Sequence, residues 1–254
     1  MDRQLISNLA HADHPISAPV SDVNVRTLLD RAICGSSDRL LDLGCGQAEW
    51  SVRALSAHGG ATAIGVDRSA LALNSAGAAA RRVGVADRLR LVEGDITEYR
   101  SEDKADVVLC VGAEYAFGGL LPTLTAAAGH LTDDGVLLLG VSIWEREPDA
   151  ATLEVFGVPA DEYADLATTV ERIVEAGWTP TYGHVSTRSE WDDYEWNWTG
   201  SLARWALDNR DHPDAATALA VSADHRDGWL RGYRGVAGFV VFVLRRTSVS
   251  PVQG

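Results

Sequence analysis

The chain has 254 residues, 46% of them hydrophobic and 23% charged, enough for a large buried core. Its formal net charge is −14. That balance argues against nucleic acids and anionic membranes as partners, since both are bound through basic faces that neutralise phosphates. The start, MDRQLISNLA, lacks the basic end and apolar run of a signal peptide, and the longest apolar stretches fall far short of the roughly 20 residues of a membrane span. A cytoplasmic protein is expected. Cys34, Cys45 and Cys110 form no CxxC pair and no metal-ligand spacing. They read as small buried hydrophobes in a reducing compartment, and no metal is expected.

In chain order, residues 1–24 carry Pro15 and Pro19 and form an arm ahead of the first core helix. Short apolar runs then alternate with helical patterns, the mark of βαβ units on a parallel sheet. Strands are expected at Arg39–Leu43, Ala61–Val66, Leu89–Glu93, Ala105–Val111 and Val136–Ile143. Helices are expected at Glu49–Ala57, Ser69–Val83 and Leu120–Leu131. The unbroken apolar runs DVVLCVG and GVLLLGV suit strands covered on both faces. Further on, Asp161–Ala176 reads as a helix stopped by Gly177, with a sixth strand at Thr181–Thr187 and a seventh at Gly238–Arg246. Between those strands lies a polar, aromatic section that reads as two helices broken near His212-Pro213. The chain thus divides into an arm (1–24), a core (25–188), a helical cap insertion (189–234) and a last strand with its tail (235–254), all within one domain.

The strongest signal is LLDLGCGQAEW, residues 40–50, which sets a strand, an acid, a glycine turn and a helix start in series. Gly44 and Gly46 lack a Cβ, so the chain can turn tightly and a ligand can come close to the backbone. Asp67 follows Gly46 by 21 residues, in IGVDRS at the end of the second strand. A carboxylate there can accept both hydroxyls of a ribose. Asp95, in EGDIT after the third strand, faces the same crevice. Glu49 stands where a dinucleotide fingerprint has its third glycine, and its carboxylate would repel a pyrophosphate. Asp42 adds a second negative charge, better suited to an ammonium group. Two other readings stay open on these residues: a nicotinamide-dependent Rossmann oxidoreductase, and a noncatalytic cofactor binder.

From about residue 39 to 145 the pieces LDLGCGQA, GVD, EGDI and VLCVGAEYAFGG resemble the class I S-adenosylmethionine-dependent methyltransferases, in order and spacing. The resemblance implies an α/β fold: a doubly wound, Rossmann-like seven-stranded methyltransferase sheet whose last strand is antiparallel. It implies S-adenosylmethionine as cofactor and S-adenosylhomocysteine as product. Asp42, Gly44, Cys45 and Gly46 would hold the methionine portion. Asp67, with Arg68 beside it, would bind the ribose, and Asp95 with Ile96 the adenine. Val111, at the exit of the fourth strand, completes the expected cofactor set. Ala48 departs from the family's third glycine, a change tolerable at a helix start. The arm HPISAP and the insertion WDDYEWNW look like those of a bacterial group that methylates small molecules.

The fourth-strand exit faces the methyl group in this family, so Glu114 and Tyr115 are candidate catalytic residues. An N-terminal segment that folds over the cofactor would bring His14 there as a candidate base, with a suitable ordinary pKa. A base is needed only if the acceptor must lose a proton. Trp191, Tyr194, Trp198 and Trp205 share one helical face, which reads either as core packing or as the wall of an acceptor pocket. Segment 189–230 carries nine Asp or Glu against three Arg, so acids among aromatics could hold a cationic amine. Trp144, Tyr233 and Arg234 are further lining candidates. Arg234 would either bind an acceptor carboxylate or offset neighbouring acids. The expected partner is a small-molecule methyl acceptor, N- or O-methylated, and the protein a monomer or homodimer.

Overall fold

The computed structural model describes residues 1–247. An N-terminal helix α1 (Arg3–Ala10) and a turn-rich segment lead into α2 (Asp22–Ala32). The alternating region follows as β1 (Arg39–Leu43), α3 (Glu49–Ala57), β2 (Thr62–Asp67), α4 (Ala70–Val83), β3 (Leu89–Glu93), β4 (Ala105–Val111), α5 (Leu120–His130) and β5 (Leu131–Trp144). Then come α6 (Ala150–Phe156), α7 (Leu166–Glu175), β6 (Trp178–Val185), α8 (Arg188–Asp208), α9 (Ala215–Gly228) and β7 (Ala237–Arg246). The strands form one seven-stranded sheet in the order β3-β2-β1-β4-β5-β7-β6. Pairs from β3 to β5 are parallel, and β7 runs antiparallel between β5 and β6. This is the Rossmann-like methyltransferase sheet.

Alternation along the buried strands feeds two cores. Leu40, Val107, Leu109, Leu138 and Val241 face α2 and α3 on one side. Leu41, Leu43, Val108, Cys110, Leu139 and Val240 face α5 and α7 on the other. Both faces are covered, so these strands are mostly apolar, and Asp42 of β1 is a buried exception. Truncating a central leucine such as Leu138 would cost about 2–5 kcal/mol.

The structure adjusts several expectations. The expected helix Asp161–Ala176 begins only at Leu166, because the Asp165 carboxylate accepts the Thr168 backbone N–H at 2.9 Å and caps the helix there. The short helix α6, started by Asp149 accepting the Thr152 N–H at 2.8 Å, had no expected counterpart. The sixth strand starts at Trp178, earlier than expected, and carries Pro180 at a register shift. The strand tolerates proline because it is an edge strand. Cys34 is exposed, unlike Cys110, so it is not the buried hydrophobe expected.

Candidate active site

At the carboxyl edge of the sheet the chain leaves β1 through the glycine turn. Gly44 has φ +78°, and a Cβ on it would stand 2.5 Å from the Ala113 Cβ. Only glycine fits there. Gly46, at φ +52°, would point a Cβ into open space. Ala48 takes the left-handed conformation at φ 52° just before α3, so the departure from glycine leaves an L residue in a region it seldom occupies. The Gly44 and Cys45 N–H groups donate to Val66 O at 2.9 and 3.1 Å, which ties the turn to β2. Asp67 closes it from the other side. One carboxylate oxygen accepts the Gly46 N–H at 2.9 Å, and the other accepts the Ser69 N–H at 2.8 Å.

Gly44, Asp67, Arg68, Asp95, Ile96 and Tyr115 line one crevice of ≈380 Å³, joined by Gly112 and Ala113 from the loop after β4. Asp95 uses one oxygen to accept the Thr97 N–H and hydroxyl, at 2.8 and 2.7 Å, and those bonds hold its carboxyl below the ordinary value. Tyr115 is 59% exposed at the mouth. The crevice is an open cradle beside a carboxylate with free lone pairs, which fits a ribose and adenine.

Other expected residues lie around this crevice without lining it. Asp42 is buried beneath the turn and accepts the Ser51 hydroxyl at 2.8 Å. Burial raises its pKa to about 7, against the Ser51 bond and aided by the nearby Asp67 charge. The Cys45 thiol is turned toward Gly65, where a Cβ would come within 2.9 Å of it, and burial pushes its pKa up. Only the Cys45 backbone faces the turn. Val111 is partly buried against the core. Glu114 turns away from the crevice: its side chain enters a small separate cavity with Ser142 and Tyr163, and one carboxylate oxygen accepts the Ser142 N–H at 3.4 Å. Burial raises its pKa.

The arm lies against the glycine turn. The Gln47 amide donates to Asn8 O at 3.4 Å, and the Ser75 hydroxyl donates to the Asn8 side chain at 3.2 Å. The Trp50 indole donates to Ile16 O at 3.1 Å. A histidine pair meets α8: His11 Nε2 is 3.1 Å from the Tyr194 hydroxyl, and the His14 ring stands edge-on to Tyr194 at 5.6 Å. His14 Nε2 is 2.9 Å from Ala18 O. Glu190 fastens this assembly, accepting the Ser21 N–H at 2.8 Å and the Asn24 amide at 2.7 Å and lying 3.0 Å from His184. Burial would raise its pKa, but these bonds and those from Thr187 hold it at about 2.

The aromatic face of α8 divides. Trp191 lines a second cavity of ≈380 Å³ together with Tyr233 and Arg234. Tyr194 sits behind it, against the arm. Trp198 stacks on His225 of α9 at 3.9 Å and Trp205 meets His212 in the turn before α9, so these two pack the cap together rather than line a pocket. Trp144, expected in the lining, is instead buried among Phe156 and Tyr163 and donates to Ala160 O at 3.1 Å. The acids thought to await an amine are engaged: Asp192 accepts two bonds from Arg234, at 2.8 and 2.6 Å, and Glu195 accepts from Tyr233 at 2.7 Å and lies 2.8 Å from His225. Sequence reasoning missed Arg146, Ser186 and Arg188, which share the second cavity but lie on three separate elements. Among the described residues no group of three or more metal-ligating side chains occurs, and no helix is long and apolar enough to cross a membrane.

Comparison with known proteins bears on the fold and the family of the domain. Residues 40–135 match a family described as a methyltransferase domain. The chain is 28% identical to the Escherichia coli protein YjhP over 222 residues, covering 87% of this chain and 89% of that one. A structure of a Geobacter sulfurreducens S-adenosylmethionine-dependent methyltransferase in complex with S-adenosylhomocysteine superposes with TM-score 0.88 at 27% identity, covering 95% of this chain and 98% of that one. A Thiobacillus denitrificans S-adenosylmethionine-dependent methyltransferase, in the same complex, gives 0.88 at 26%, covering 97% and 99%. The chain carries a methyltransferase domain and has the Rossmann-like fold of S-adenosylmethionine-dependent methyltransferases. Its similarity to these relatives extends beyond the glycine turn to the arm and the helical cap.

Proposed function

We propose that this enzyme binds S-adenosylmethionine in the crevice between the glycine turn and the β4 exit, and methylates a small molecule at nitrogen or oxygen. The observation that carries the reading is Asp67, whose two oxygens hold Gly46 and Ser69 and keep lone pairs for a ribose diol. Asp95 and Ile96 would meet the adenine, with Arg68 at the rim. The backbone of Gly44, Cys45 and Gly46 would meet the methionine portion, over the buried Asp42 charge and beside Val111.

The cofactor supplies a methyl group on a positively charged sulfur. The acceptor's lone pair forms the new bond to the methyl carbon as the carbon–sulfur bond breaks, and its electron pair remains on sulfur. Positioning and exclusion of water carry most of such a displacement. If the acceptor sheds a proton, His14 is the base proposed to take it; its Nε2 lies 2.9 Å from Ala18 O and its Nδ1 3.9 Å from the Asp193 carboxylate. Glu114, turned toward Ser142, is better placed to position that loop than to take the proton. Tyr115 at the mouth would close over the bound cofactor. The protein is proposed to work in the cytoplasm, as a monomer or homodimer, without a metal.

Calorimetric titration with S-adenosylmethionine, S-adenosylhomocysteine and NADH tests the reading. Micromolar binding of the sulfur ligands, weakened at least about tenfold in Asp67→Ala, is the expected result. Binding of NADH alone would overturn it.

A further inference from the structure

The second cavity lies where β5 and β6 end and β7 begins, on the same edge of the sheet as the cofactor crevice. Its floor is aromatic: Trp191 from α8, with Trp229 and Tyr233 from a π-helical turn, Trp229–Tyr233, that follows α9. Such turns are uncommon and concentrate at functional sites. The floor is rigid, because the Tyr233 hydroxyl donates to Glu195 at 2.7 Å and lies 3.2 Å from His225.

Two polar atoms in this wall have no partner although both are closed to solvent: the Ser186 hydroxyl oxygen and the Trp191 indole nitrogen. Ser186 is 5% exposed. Leaving buried polar groups unpaired is costly, which marks them for a ligand. At the rim Arg146 and Arg188 converge, their Nη2 atoms 3.4 and 2.4 Å from where a Gly235 Cβ would stand. Neither belongs to an arginine ion pair among the described residues. Arg146 spends its Nε–H on Gly235 O at 2.7 Å and keeps its terminal nitrogens. Arg234 already spends its Nε–H and one Nη2–H on Asp192. The cavity holds three guanidinium groups against the carboxylates of Glu145 and Asp192, a positive balance within a chain of charge −14.

We infer that this cavity binds an aromatic carboxylate, its ring on the Trp191–Tyr233 floor and its carboxylate held by Arg146 and Arg188. Indole and guanidinium groups can only donate, so the site demands a ligand rich in acceptors. Planar guanidinium forks match a carboxylate in two-bonded geometry. This replaces the cationic amine expected from the acids of the cap. Use of the bound acid as methyl acceptor rests on the proposed function; its binding does not.

The test follows tryptophan fluorescence of the full-length protein during titration with phenylacetate, its neutral isostere phenylacetamide, and acetate. Phenylacetate is expected to bind at least tenfold more tightly than either, with the preference lost in Arg146→Gln/Arg188→Gln and weakened in Ser186→Ala. Equal responses to acid and amide, no response to phenylacetate, or a preference that survives the double variant would each overturn the inference. Calorimetry with S-adenosylhomocysteine on the same samples separates the two claims. Intact cofactor binding with no acid preference sinks only the carboxylate site, whereas acid preference without cofactor binding sinks only the methyltransferase assignment. With S-adenosylmethionine supplied, formation of S-adenosylhomocysteine on adding hydroxylated aromatic acids would identify the ligand as acceptor, and binding without its formation would identify an effector.

Discussion

At residue scale, Gly44 in the turn and Asp42 beneath it make opposite demands. Gly44→Ala would drive a methyl into Ala113 at 2.5 Å and force a left-handed φ on alanine. Loss of about 1–3 kcal/mol and of detectable S-adenosylhomocysteine binding is expected, measured by thermal melting and calorimetry. Asp42 carries a pH signature. Its folded pKa of about 7 lies above the ordinary 3.8, so the unfolded chain ionises first as pH rises. Without ligand the protein therefore loses stability between about pH 4 and 7, by on the order of 2–4 kcal/mol, and no more above that. Asp42→Asn keeps an acceptor for Ser51 and should flatten this part of the curve. A wild-type melting profile that is level from pH 4 to 7 would contradict the assignment.

Elements explain what could and could not be foreseen. β1, α3, β3 and β4 fall where their apolar runs and glycine punctuation placed them; in β1 and β4, burial on both faces leaves a nearly continuous apolar signature. The edge strand β6 was misplaced because Pro180 reads as a breaker, and only its neighbour on one side makes it admissible. The crevice was legible since its residues follow strand ends at set spacings. The second cavity was legible only in part: Trp191, Tyr233 and Arg234 stand out as lining candidates, whereas Arg146, Ser186 and Arg188 join them only when the ends of β5 and β6 and the start of α8 meet in space. The capping box Thr187–Glu190 was present as a local pattern, yet nothing local tells that the same Glu190 also holds Ser21 and Asn24. Glu190→Gln should therefore cost about 1–3 kcal/mol by loosening the arm and the start of α8 together. Because the Glu190 pKa is depressed to about 2, its contribution is complete above the ordinary 4.5 and is lost as pH falls toward 2. Acid unfolding curves of wild type and variant should converge there.

For the whole molecule, a charge of −14 implies self-repulsion that salt screens. Melting temperature should rise between 10 mM and 300 mM sodium chloride, as orders of magnitude for weak and near-complete screening, and a falling temperature would mean that specific ion pairs dominate. The arm and the cap close on each other across great sequence distance. His11 meets Tyr194 183 positions later, and Ser21 meets Glu190 169 positions later. A ribosome adding roughly 5–20 residues per second needs on the order of ten to forty seconds to span such gaps. During that interval a nascent chain has its glycine turn and its first five strands, and the arm has its contacts to α3 and α4 but not yet those to α8. The crevice proposed for the cofactor is thus written early, and the helix that clasps the arm beside it arrives much later.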